Sequence, residues 1–288
     1  MKRLGFAIII FSLLSTSSLL GYELQKMMKV RVGDTEQFFI HSEAGDLTVS
    51  AEAGLEEIQV KAKVVISKVN REKAEQIFND HIVLTLEKHS DRIELISKYD
   101  NSISGSIFGS SAYTDLEVRM PESLSLKVDD GSGDITISGP KNGVQIDDGS
   151  GDVNISSVDG KIKIDDGSGD INVKDVVGDL DISDGSGDVN TKEISGNLSV
   201  RDGSGDVLIA AVRGDVNLSD GSGDLRVREI QGNVNVEDGS GDVRITKVEK
   251  IVNIVDDGSG DLHISEVQGT VNLPNDKKEE KETEREVF

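Results

Sequence analysis

Sixteen aspartates recur at fixed spacing in this 288-residue chain and bracket eight copies of Asp-Gly-Ser-Gly-Asp. The first of each pair are Asp130, Asp148, Asp166, Asp184, Asp202, Asp220, Asp238 and Asp257; the second are Asp134, Asp152, Asp170, Asp188, Asp206, Asp224, Asp242 and Asp261. Carboxylate and carbonyl oxygens are the ligands calcium takes, so all sixteen are candidate metal ligands and calcium is the one cofactor the chain suggests. If the copies stack, neighbours in each column lie about 4.8 Å apart. Each adjacent pair then repels by roughly 1 kcal/mol even in a water-like dielectric, and something must relieve the columns.

Two readings of that relief stand side by side. In one, calcium bridges the carboxylates, as in β-rolls that also use two nonapeptides per coil; those repeats carry their metal-binding Asp at position 6, where this chain has Val153, Ile171 and Val189. In the other, favoured by that departure, each Asp accepts hydrogen bonds from the Gly and Ser amides of its own turn and solvent screens the rest. The serines between the glycines (Ser132, Ser150, Ser168 and their copies) invite a nucleophile reading. The chain lacks a Gly-x-Ser-x-Gly elbow, and a nucleophile needs one particular base beside it, so equivalent serines point to a turn requirement. His263 falls at an outward strand position, and His41, His81 and His89 show no metal-ligand spacing.

The elements that hold these turns follow from the period. Successive copies start 18 residues apart, with a final step of 19, and a repeat of this length marks a solenoid. From Asp148 the unit continues with Val153, Ile155, Val158, Gly160, Ile162 and Ile164; the pairs 153/155 and 162/164 alternate with polar residues, the pattern of strands with one buried face. Each coil therefore holds two short strands and two turns, and stacked coils make two parallel sheets. Five aliphatic side chains per coil recur (Ile171, Val173, Val176, Leu180 and Ile182 in the next), each contributing roughly 1.5–3 kcal/mol when buried. Thr191 is a polar exception at an inward position, expected to be hydrogen-bonded. Lys250 replaces a turn glycine and an extra residue follows near Val255 and Asp256, which together predict one local bulge.

Around the solenoid the composition changes. Residues 1–21 read as a signal peptide, with Lys2 and Arg3 before an apolar run from Leu4 to Leu14; cleavage leaves no stable membrane span. Residues 22–128 read as an irregular β segment with strands at 36–41, 46–50, 58–67, 82–88, 92–98 and 115–120. Asn70 is placed to cap a short helix to about Asp80 with Ala74, Ile77 and Phe78 on one face, a candidate cover for the open end of the stack. Ala44 to Val49 looks like a degenerate copy of the repeat, and Asp100 to Ala112 like a mobile loop. Residues 129–273 are the regular solenoid of about eight coils, and residues 274–288 a charged, disordered tail.

A signal peptide, an irregular β segment ending in Arg119-Met120-Pro121-Glu122-Ser123-Leu124-Ser125-Leu126-Lys127-Val128, and then Gly-Ser-Gly-Asp-Val-x-Ile units resemble the provisionally named adhesin family of bacterial β-strand-repeat proteins of unknown function. The resemblance covers roughly residues 30 to 273 and implies adhesion; it carries no catalytic residues.

The formal charge of −23 repels nucleic acid and anionic lipid and favours cations and basic partners. No aromatic platform for sugar occurs between Asp129 and Leu273, and the outward position after Val153 varies (Asn154, Asn172, Asn190, Leu208, Arg226, Arg244, His263). The fold class is thus all-β: a β-solenoid with two short strands per 18-residue coil. The leading function is a non-enzymatic, adhesin-like scaffold exported to the periplasm or cell surface, meeting an envelope protein or glycan. The alternatives are a calcium-stabilised β-roll-like protein and an envelope polysaccharide hydrolase or lyase.

Overall fold

The computed structural model describes residues 15–18, 21–99 and 112–274. Most of the expected signal peptide, the loop expected at 100–112 except Ala112, and the tail beyond Pro274 lie outside them. No helix among the described residues is long and apolar enough to cross a membrane. Among the described residues the chain is an all-β solenoid with one short helix, and it divides into two compact units, residues 1–159 and 160–288.

The first unit contains β1 (Ser15–Ser18), β2 (Gly21–Arg31), β3 (Gln37–Ser42), β4 (Leu47–Glu52), β5 (Glu57–Ser67), α1 (Arg71–His81), β6 (Ile82–Lys88), β7 (Ile93–Tyr99), β8 (Ala112–Pro121), β9 (Ser125–Asp130), β10 (Ile135–Ser138), β11 (Val144–Asp148) and β12 (Val153–Asp159). One sheet runs β1-β2-β5-β8-β4-β10-β12 and the other β11-β9-β3-β7-β6. The six strands expected before residue 121 are all present. The degenerate copy is a true coil strand: Leu47 and Val49 lie in register beside Ile135 and Ile137. The first sheet changes character where β5 pairs antiparallel with β8 and β2 antiparallel with β5 along their full lengths. β2 has no counterpart in the sequence reading. It and β5 continue that sheet beyond β8, and α1 links β5 to β6. Asn70 caps α1 as expected, its Oδ1 accepting the Lys73 amide at 2.9 Å. Ala74 and Ile77 are buried, while Phe78 is only half-buried.

The second unit is regular. One sheet is built from Ile171–Val177, Val189–Ile194, Val207–Val212, Leu225–Ile230, Val243–Val248 and Leu262–Val267. The other uses Ile162–Asp166, Leu180–Asp184, Leu198–Asp202, Val216–Asp220, Val234–Ser240, Val252–Ser259 and Val271–Asn272. All neighbours are parallel and pair one coil apart, as Val189 with Val207 and Leu198 with Val216. The expected inward set is buried: Val207, Ile209, Val212 and Val216 are 0% exposed and Leu218 3%.

Strict alternation would turn Val212 outward, three residues after inward Ile209. The chain solves this with a left-handed residue between them. Asp175, Glu193, Ala211, Glu229, Lys247 and Glu266 all have φ between 54° and 62°, a conformation costing roughly 1–2 kcal/mol for a residue with Cβ. Each resets the alternation so that the next residue points inward.

The glycines are needed for a second reason beyond φ. At Gly187, φ is +139° and an added Cβ would lie 1.9 Å from the Gly169 carbonyl oxygen of the preceding coil. The expected bulge is present: Val236 pairs with Ile254 but Glu237 with Asp256, which leaves Val255 extruded and 64% exposed. Thr191 departs from expectation. It is fully buried, and its Oγ1 has no hydrogen-bond partner, because the aliphatic side chains around it offer none.

Candidate functional site

The two aspartate columns occupy different environments. In the second unit, Leu198, Val200 and Asp202 are alternate residues of one strand and all face inward, as do the corresponding triplets of its neighbours. The first aspartate of each motif is therefore a core residue: Asp166, Asp184, Asp202, Asp220, Asp238 and Asp257 are between 1% and 8% exposed. In the first unit Asp130 and Asp148 are each 4% exposed. The period-2 run through Ile162 and Ile164 to Asp166 carries this information, and extending it by one step would have found it.

Four of these carboxylates, those of Asp166, Asp184, Asp202 and Asp220, are held by their own turns. The Ser186, Ser204 and Ser222 amides donate to Oδ1 of Asp184, Asp202 and Asp220 at 3.2, 3.2 and 3.3 Å, and Ser168 donates likewise to Asp166. The turn serine thus contributes its main-chain N–H, as a repeated turn requires. The other oxygen of Asp184, Asp202 and Asp220 is buried without a hydrogen-bond partner. Burial, reinforced by neighbouring aspartates in the column, pushes Asp202 and Asp238 up to about 6. Asp184 and Asp220 are raised by burial as well. In the first unit, burial chiefly raises Asp130 and Asp148 to about 6.

The second column is exposed, and its partner differs from the expected turn amide. In the second unit five of these carboxylates accept the main-chain N–H of the equivalent aspartate one coil on: Asp188 N–H to Asp170 at 3.0 Å, Asp206 to Asp188 at 2.9 Å, Asp224 to Asp206 at 3.0 Å, Asp242 to Asp224 at 3.1 Å and Asp261 to Asp242 at 2.9 Å. Asp134 receives Asp152 in the same way in the first unit, and Asp46, in the degenerate copy, receives Asp134. The side chain pairs coils in place of a strand ladder where the turn interrupts it. Arg226 adds an ion pair to both Asp206 and Asp224.

The opposite turn and one strand face repeat the device. Asp179, Asn197, Asp215 and Asn233 accept amides from the following coil at 2.7–3.3 Å, and Asn217, Asn235, Asn253 and Asn272 form a side-chain amide ladder at 2.6–2.8 Å. Among the described residues no three His, Asp or Glu side chains come together so as to hold a metal ion.

One polar cluster has no counterpart in the sequence reading. On the outward face of β3, β7 and β9, His41 lies 2.9 Å from Asp129 through Nδ1 and 3.3 Å from Glu94 through Nε2, and His89 Nε2 lies 3.2 Å from the other Glu94 oxygen. The two histidines engage opposite oxygens of one carboxylate. His41 and Asp129 are direct cross-strand partners, a juxtaposition set by β3 pairing with a strand far along the chain.

Solved structures are similar to this chain at low identity. A provisionally named cell adhesion protein from Clostridium sporogenes is 12% identical, covering 86% of this chain and 97% of its own, with a TM-score of 0.29. A provisionally named lipid-binding protein from Parabacteroides distasonis is 19% identical over 86% and 94%, with a TM-score of 0.47. A provisionally named adhesin from Bacteroides fragilis is 12% identical over 87% and 97%, with a TM-score of 0.37. No curated protein gives a significant match. The Toastrack DUF4097 family matches residues 35–214 and 195–277, together nearly the whole described chain and every aspartate motif, and the chain belongs to that family.

Proposed function

We propose that this protein is a non-enzymatic, adhesin-like scaffold, exported to the periplasm or cell surface, whose sheet faces bind an envelope protein or glycan. The supporting observation is the contrast between the two sides of one sheet. In register along it, the inward positions Ile171, Val189, Val207, Leu225, Val243 and Leu262 stay aliphatic. The next, outward positions run Asn172, Asn190, Leu208, Arg226, Arg244 and His263. A constant core under a changing face is what a binding scaffold requires, because specificity can vary without touching stability.

The test combines location with binding. Fractionation and protease treatment of intact cells should find the chain outside the cytoplasm. Purified protein should bind isolated envelopes, and the triple change Arg226→Ser, Arg228→Ser and Arg244→Ser should weaken that binding at unchanged melting temperature. A cytoplasmic location, or envelope binding indifferent to changes on every outward face, would overturn the reading.

A further inference from the structure

We propose that the last coil of the second unit is a self-association surface, on which the same coil of a second copy docks through a two-fold axis. In that coil the inward row loses its cover: Leu262, Ile264 and Val267 are half-buried and Val271 is 37% exposed, whereas the equivalent Val243, Ile245, Val248 and Val252 are at most 1% exposed. Leu262–Val267 and Val271–Asn272 are also the last strands of their sheets, each paired on one side among the described residues. Two sheet edges with an apolar row between them thus end together.

Natural edges are usually protected by charges, prolines or bulges. Here residues 262–273 carry only Glu266 and His263 as ionisable groups, with Pro274 directly after them, while the equivalent residues 243–254 of the preceding coil hold Arg244, Lys247, Glu249 and Lys250. On a chain of net charge −23, a charge-poor end is where a second copy meets least repulsion. In sequence, residues 276–286 are charged at every position but Thr283 and lack the spaced aliphatics of a coil. A two-fold axis needs one self-complementary surface. An edge strand meets that condition, because its rotated copy runs antiparallel to it and supplies matching donors and acceptors. The contact needs none of the face binding proposed above.

Sedimentation velocity of the purified chain from about 1 to 200 μM, the range in which modest interfaces associate, should show a monomer–dimer equilibrium. Ile264→Asp should weaken dimerisation at least tenfold. Should that variant lose its fold, Val271→Lys, at a more exposed position, should give the same loss at near-normal melting temperature. A chain that is monomeric throughout overturns the proposal, as does a dimer unaffected by the folded variant. A chain ending at Pro274 should dimerise at least as well as the full chain; dimerisation only after this truncation would make residues 275–288 the occupant and overturn the two-copy contact.

Discussion

Asp202 accepts the Ser204 amide at 3.2 Å through one carboxylate oxygen, while its other oxygen is buried without a hydrogen-bond partner. Asp184 and Asp220 in the adjacent coils add their charge to the cost of ionising it. Its folded pKa is about 6, against 3.8 for a free aspartate, so between those values the folded state binds more protons than the unfolded. The stability from this group is then fully present below about pH 4 and lost as pH rises through about 6. Thermal melting should therefore show higher stability at pH 5 than at pH 7.5. Easing of general self-repulsion acts in the same direction, so Asp202→Asn separates the two. That variant should be stabilised by about 1–3 kcal/mol at pH 7.5, since it removes a buried ionic group lacking a full set of partners. At pH 5 the gain should shrink. Equal effects at both values would contradict the titration of this column.

Thr191 places a hydroxyl without a partner among aliphatic side chains. Thr191→Val keeps the shape and removes the orphan group, so it should raise stability by about 1–2 kcal/mol in denaturant unfolding. A destabilised variant would mean that the hydroxyl has a partner, such as an internal water.

Within the turn, glycine and serine are predicted to respond oppositely. Gly187→Ala puts a Cβ against the Gly169 carbonyl at positive φ and should cost about 3 kcal/mol or more, beyond the range of ordinary substitutions. Ser186→Ala retains the amide that holds Asp184 and should change stability by less than about 0.5 kcal/mol. A large loss in Ser186→Ala would reopen a role for the hydroxyl.

Calcium should have little effect on folding. The exposed carboxylates are already engaged by amides of the next coil, and no metal-holding group forms among the described residues. Circular dichroism and melting in chelator and in millimolar calcium should coincide within about 1 °C, a small fraction of the shift that a ligand at a hundredfold excess over its Kd produces. A rise of several degrees would restore the metal reading of the columns.

The residues that set the fold were readable because each has a single physical job repeated at constant spacing. The inward aliphatics, the cap at Asn70, the degenerate coil at Leu47 and the slip at Val255 all follow from period and residue type. The left-handed positions did not, since Asp175, Glu193, Ala211 and Lys247 share a conformation but no chemistry. β2 was missed because its sheet neighbours among the described residues are β1 and the antiparallel β5, a pairing that lies outside the repeat. The His41–Asp129 pair depends on two strands brought together by winding, and Thr191 on what its neighbours fail to offer. At the aspartates, the columns were legible, but the split between a buried and an exposed set required following the alternation one residue past the last aliphatic.

The extruded Val255 shows how the architecture tolerates change in length. One added residue is taken up entirely on the outside of a single strand, and Val252 and Ile254 before it, like Asp257 after it, keep their inward places. A coil therefore need not be copied in whole units for the winding to survive. The position of Val255 is a port at which one extra residue is seated while the aliphatic rows keep count.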